Sequence, residues 1–153
     1  MISWLPYREV SVFTTLSVDE TRSLLSNTVI KRRFRWFSSD VGQFEGVVSV
    51  DGFNINRVIG YRNSFLPMLY GSFIPRNDGG TQVIVKMMLH PVVLVIMLGF
   101  LGALLCGAAT SILNGYHDLA CFGGFFLFGY LLVMGGFNLE ANKAAAFIKM
   151  VFQ

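Results

Sequence analysis

Charge is absent from two long stretches of this chain. From Met87 to His117 no side chain is charged, and after Asp118 none is charged again from Leu119 to Leu139. Over the whole chain only 14% of residues are charged, against about 25% in ordinary globular domains. Ten of the 12 Lys+Arg residues lie at or before Lys86, and the other two are Lys143 and Lys149. The net charge of +3 is modest and does not suggest nucleic acid as a partner.

Other scarcities narrow the chemistry. The two histidines, His90 and His117, fall at opposite ends of an uncharged stretch, and no His/Cys pair has metal-ligand spacing. A zinc site is therefore not expected, nor any other metal or cofactor. No glycine-rich phosphate loop is present, because Gly79-Gly80 reads as a hairpin turn. Nothing positions a Ser-His-acid triad. Between His90 and His117, and again from Leu119 to Leu139, there is no Asp, Glu, Lys, Arg or His that would carry an ion or proton path. The start, Met1 to Glu9, has no basic lead followed by an apolar run, so no cleavable export signal is expected and the N-terminal part should stay on the side of synthesis. Two cysteines, Cys106 and Cys121, lie on opposite sides of a turn at similar depth. A disulfide is geometrically conceivable there; reduced thiols used as small packing residues are the simpler reading.

What fills the uncharged stretches is apolar. A bilayer crossing needs about 20 mostly apolar residues, and two such runs flank Asn114-Gly115. We expect a transmembrane helical hairpin over 90-139. A soluble hairpin that is apolar all round would need more protein to cover it than this short chain offers. Gly99, Ala103 and Gly107 recur every four residues on the first span, with Gly129 among the glycines of the second. Small residues at such spacing let helices approach closely. The connecting loop has no basic residue, whereas Lys86, Lys143 and Lys149 flank the outer ends. Both termini are thus expected in the cytoplasm and the protein in the inner (plasma) membrane.

The first 89 residues read as a cytoplasmic α+β domain of order β-α-β-β-β-β. Glu9 to Thr15 alternates as a strand. Ser17-Val18-Asp19-Glu20 is a capping-box pattern opening a helix over about Val18 to Thr28, with Leu24, Leu25 and Thr28 on a face shared with Thr21. Asp51-Gly52 between two alternating runs predicts a two-residue hairpin turn. That turn would set Val50 opposite Phe53, Val48 opposite Ile55, Gly46 opposite Arg57 and Phe44 opposite Ile59. A second hairpin joins Leu66–Ile74 to Thr81–Leu89. The last strand runs into Pro91, which suits a first helical position. Residues 140-153 read as a C-terminal amphipathic helix with Phe147, Met150 and Val151 on its apolar face, lying on the bilayer surface or on the sheet.

Two groups are candidates for binding. Arg57 shares a strand face with Phe53, Ile55 and Ile59, so alternation aims it at the apolar side. A buried guanidinium needs a carboxylate, phosphate or carbonyl partner. It belongs either to an anion or lipid-headgroup pocket with Arg62, or to an internal ion pair. The basic–aromatic run Lys31, Arg32, Arg33, Arg35 and Trp36 suits an anionic membrane surface, where each Lys or Arg is worth about 1 kcal/mol; a strand or loop with a solvated basic face is the simpler alternative. Trp4 and Tyr7 are further interface anchors.

The stretches Phe53-Asn54-Ile55-Asn56-Arg57, Arg62-Asn63-Ser64-Phe65-Leu66-Pro67 and Met88-Leu89-His90-Pro91 resemble a group of small bacterial two-span membrane proteins with a β-rich N-terminal domain. The resemblance covers most of the chain and implies architecture, with no chemistry attached. The arrangement is also similar to bacterial membrane-anchored pleckstrin-homology-like domains, which place their spans first and their helix last.

The expected function is a non-catalytic membrane-anchored binding module or accessory subunit. Its expected partners are membrane lipids and other membrane subunits or a second copy of itself. The rivals are a membrane enzyme acting on a lipid-linked substrate, and an oligomeric channel lined by Thr110, Ser111 and Asn138.

Overall fold

A computed structural model describes residues 3–31, 44–114 and 119–152. The fold is α+β: an antiparallel sheet with a helical C-terminal part. The elements are β1 (Tyr7–Thr14), α1 (Val18–Thr28), β2 (Ile30–Lys31), β3 (Phe44–Val48), β4 (Phe53–Arg57), β5 (Met68–Pro75), β6 (Thr81–Met88), α2 (Pro91–Leu113) and α3 (Leu119–Phe152). The sheet order is β1-β6-β5-β4-β3-β2. Five strands pair antiparallel. The two-residue β2, which the sequence pattern did not reveal, joins the edge parallel to β3.

Alternation assigns the two faces of the sheet. Val12, Val83, Val85, Met87, Leu69, Ile55, Phe53 and Phe44 are all buried against α1 and α3. The opposite face carries Glu9, Ser11, Gln82, Lys86 and Asn54, none of them buried, so helices cover one side only. This is the hydrophobic-in, polar-out pattern of a half-covered antiparallel sheet.

The capping box forms as expected. Ser17 accepts from the Glu20 N–H, and the Glu20 carboxylate accepts from the Ser17 N–H at 2.9 Å. The buried face of α1 is Thr21 and Leu25; Leu24 and Thr28 point outward, because the sheet lies one position further round the helix than hydrophobicity suggested. Hydrogen bonds from the Ser17 side chain, then from its backbone, hold the Glu20 carboxyl below its usual range. A lowered folded pKa means that the cap stabilises above the ordinary glutamate range and that this is lost as pH falls through the folded value. Ser17→Ala should therefore melt below wild type at neutral pH. The gap between the two melting temperatures should narrow as pH falls through the glutamate range, without closing, because the Glu20 N–H to Ser17 hydroxyl bond does not titrate.

The first hairpin turns one residue earlier than expected. It is centred on Val50-Asp51 and closed by the Ser49 N–H donating to the Gly52 carbonyl at 2.7 Å. Val48 thus faces Phe53, Gly46 faces Ile55 and Phe44 faces Arg57. The missing side chain of Gly52 serves the sheet: a Cβ there would lie 2.1 Å from the Gly71 carbonyl oxygen of β5. The register differs by two residues, an even slip, so every side chain keeps its expected face.

Helix α3 has 34 residues, about 51 Å at 1.5 Å per residue. The expected break near residue 140 does not occur. Its first part pairs with α2, and its second part is the helix that fills the sheet. The phase set by Val133 and Phe137 continues through Ala141, Ala144, Ala145, Ile148 and Phe152, all buried. This face, built largely of alanine, lies beside the expected one: Phe147 and Val151 are partly buried against the core at its edge, and Met150 is not part of it. Met150 is 74% exposed, while Phe147 stacks on Phe44 at 3.9 Å between ring centroids. The segment 140–152 therefore lies on the sheet.

Helices α2 and α3 are both long and apolar enough to cross a membrane. Their pairing uses reciprocal glycine–aromatic contacts. A Cβ on Gly107 would lie 2.6 Å from the Phe122 ring, and one on Gly129 would lie 3.2 Å from the Phe100 ring. Gly99 and Ala103 face away from this contact. At about 100° per residue, Gly99 has drifted about 80° from Gly107 round the helix, whereas Phe100, one heptad away, has drifted only about 20°.

Candidate functional site

The region where the hairpin meets the sheet holds the one buried charged side chain among the described residues, Glu140, with its partners. Arg57 ends β4 on the inner face. Its guanidinium meets Glu140 of α3, with Nη1 2.7 Å from Oε2. The Lys143 ammonium lies 2.7 Å from Oε1 of the same carboxylate, and the Tyr61 hydroxyl donates to Oε1 as well. Lys143 also reaches the Tyr61 hydroxyl at 3.4 Å. Glu140 is 2% exposed and the Arg57 side chain 20%. A carboxylate this buried is tolerated only when its lone pairs are taken, and here two cations and a phenol take them. Of the two expectations for Arg57, the internal ion pair is the one that forms.

This cluster fastens the β4–β5 connection, residues 58–67, to α3. One turn toward the hairpin, the Asn63 amide donates to the Gly136 carbonyl at 3.4 Å, and the Phe65 N–H donates to Asn63 Oδ1 at 3.0 Å. Gly136 admits the loop, since a Cβ there would stand 3.1 Å from Phe65. On the other flank of α3, Arg8 of β1 donates to Asn142 at 2.6 Å. The N-terminal strap is tied to the helix too. Asn138 exchanges hydrogen bonds with the Ser3 backbone at 2.8 and 2.9 Å, and the Tyr130 hydroxyl donates to the Trp4 carbonyl at 2.7 Å. Trp4 remains 78% exposed beside the hairpin.

Directly beyond the loop, α2 and α3 separate into an apolar crevice of about 490 Å³. Its walls include Met97 and Phe100 of α2 and Phe128 and Gly129 of α3, with Ser64 and Phe65 at its sheet-side end. The volume lies within the range of small-molecule sites.

The other candidates distribute as follows. Arg62 is exposed on the loop beside Tyr61. Lys31 contributes backbone to β2, and Arg32, Arg33, Arg35, Trp36, His117 and Asp118 lie outside the described residues. His90 caps α2, its Nδ1 accepting from the Val92 N–H at 3.3 Å. Cys106 and Cys121 are free thiols. The polar side chains considered for a channel point elsewhere: Thr110 donates to the Gly107 carbonyl, Ser111 is buried and Asn138 holds the strap. Among the described residues no three His, Cys, Asp or Glu side chains come together to hold a metal, and no buried side-chain nitrogen or oxygen lacks a partner.

Sequence reasoning required a partner for Arg57 without finding Glu140. The signal was present: Glu140 is the carboxylate that ends the uncharged run of the second span, three residues before Lys143. The crevice left no sequence signal, because its lining reads the same as the rest of the hairpin surface.

No family model and no curated protein matches the chain. Among solved structures it is similar to the di-domain ARO/CYC StfQ from the steffimycin biosynthetic pathway, at 14% identity and a TM-score of 0.34. That likeness covers 90% of this chain and 51% of the other. The chain thus spans about half the length of that protein, and a likeness this slight carries no argument about activity.

Proposed function

We propose that this chain is a non-catalytic, membrane-anchored binding module, an accessory protein whose hairpin crosses the inner membrane and whose sheet domain stands against the cytoplasmic surface. The observation that carries the reading is the surface of the hairpin. Val95, Ile96, Leu98, Leu105, Leu113 and Leu127 are each more than half exposed, and among the residues of α2 only Ser111 is buried. Water does not tolerate so large a continuous apolar surface, whereas hydrocarbon does. Helix α2, with 23 residues, is about 34 Å long, against about 30 Å of hydrocarbon core. Trp4, Tyr7 and Tyr61 are exposed, and Trp4 lies beside the hairpin through its carbonyl's hydrogen bond from Tyr130, a placement that suits an interfacial aromatic. The polar atoms of the Arg57–Glu140 cluster are engaged with one another, which favours a binding role over a chemical one.

Alkaline carbonate should leave the protein in the membrane pellet. Trypsin added to spheroplasts should spare it, and trypsin added to inverted vesicles should cut at the exposed Arg76 turn. Release by carbonate, or cleavage from outside the cell, would overturn the reading.

A further inference from the structure

We infer that the crevice holds one acyl chain of an anionic phospholipid from the leaflet next to the sheet domain, with the lipid phosphate against Arg62 and Lys143. The inference rests on the membrane reading above and adds a ligand and an orientation to it.

Three observations carry it. The first is dimension. Along α3 the crevice runs from Phe125 to Val133, eight residues or about 12 Å, close to the roughly 15 Å depth of one hydrocarbon leaflet. A chain entering at the headgroup level would lie along it and end near the bilayer centre.

The second is the lining. Ser64 is its one polar residue, and it stands at the sheet-side end. Gly129 lines it as well, with the Phe100 ring packed over it at 3.2 Å from where a Cβ would stand. A chain of methylenes fits such a wall without leaving a polar group unsatisfied.

The third is charge at the mouth. Arg62 is two residues before Ser64, within about 7 Å along the backbone. Tyr61, its neighbour, links to Lys143, whose side chain is 50% exposed. Among the described residues on this flank three cations, Arg57, Arg62 and Lys143, stand against one carboxylate, Glu140. Glu140 pairs with both Arg57 and Lys143 at 2.7 Å and offsets one of their two charges, Glu45 is engaged with Asn56 on the outer sheet face, and Arg62 forms no ion pair with any described residue. The mouth is therefore positive, which complements a phosphate carrying net negative charge and gives no reason to select a neutral lipid.

The test uses the full chain in vesicles of phosphatidylglycerol or of phosphatidylcholine, each doped with the same phospholipid bearing a photoreactive diazirine in its acyl chain. Adducts are mapped by mass spectrometry. The expected result is labelling concentrated on Met97, Phe100 and Phe128 above that on the outward Val95, Leu98 and Leu105. With the diazirine on phosphatidylglycerol, crevice labelling should exceed that with phosphatidylcholine by about fivefold, the equivalent of about 1 kcal/mol for one interfacial cation. Arg62→Gln, at an exposed position, should cut the headgroup preference at least by half, Lys143 remaining. Ile96→Trp, which fills the crevice from its exposed wall, should remove the excess labelling. Even labelling over all faces of the hairpin, or a preference unaltered by Arg62→Gln, would overturn the proposal and leave the membrane reading intact. Chain-to-chain adducts at the crevice in place of lipid adducts would show a second copy there and also overturn it. No labelling on any face would overturn the membrane reading itself.

Discussion

Replacing Glu140 with alanine will lower the melting temperature of the detergent-solubilised protein by roughly 10 °C, the equivalent of about 3 kcal/mol for a chain of this size. The loss arises mainly at Arg57. Its side chain is 20% exposed and its guanidinium lies 2.7 Å from the carboxylate; without Glu140 it is left buried and uncompensated. Lys143 contributes little to the loss, since its half-exposed ammonium can turn to water. The Tyr61 hydroxyl loses its acceptor at the same time, so the β4–β5 connection should loosen and become more accessible to protease at Arg62. Arg57→Met combined with Glu140→Leu should recover most of the stability, because an apolar pair of similar volume removes both desolvated charges together. Circular dichroism melts of the three variants decide the matter. If Glu140→Ala melts like wild type, the cluster does not close the fold.

The second large effect belongs to Phe137. It is 0% exposed at the point where α3 leaves α2 and reaches the sheet. Phe137→Ala should cost about 4 kcal/mol through lost burial and the cavity left behind. Leu139, two residues on, is 64% exposed, and Leu139→Ala should change stability by less than about 0.5 kcal/mol. The two positions are comparable in hydropathy, and only their phase on the helix separates them. Equal losses at both positions would mean that α3 does not seat on the sheet in this phase.

That contrast marks what could be read from the chain. The strands, the α1 cap and the two apolar helices were legible because each has a local cause: alternation, a Ser-x-x-Glu pattern, an unbroken absence of charge. The inward aim of Arg57 was legible for the same reason, and it survived an error in the hairpin register because the slip was even. What escaped was set by contacts between distant segments. Gly52 read as a turn residue, yet its missing side chain serves the contact with Gly71, 19 positions away in sequence and adjacent in the sheet. The sheet-facing side of α3 escaped because alanine carries little hydrophobic signal, although Ala141, Ala144 and Ala145 lie against the core. Gly99 and Ala103 read as a packing stripe because repetition every four residues ignores the slow rotation of such a row around the helix. Glu140 escaped because nothing in a strand names the residue of a later helix that will meet it.

The unbroken passage of α3 from hairpin to sheet carries a mechanical consequence. Transmembrane hairpins answer a change in bilayer thickness by tilting. On the membrane placement proposed above, no hinge would stand between the tilting part and the domain, since α3 runs unbroken and Ser3, Arg8, Arg57 and Asn63 clamp it on both flanks. The domain must then lean with the hairpin as one lever. Its outer sheet face would turn toward or away from the headgroups according to the thickness of the membrane around it.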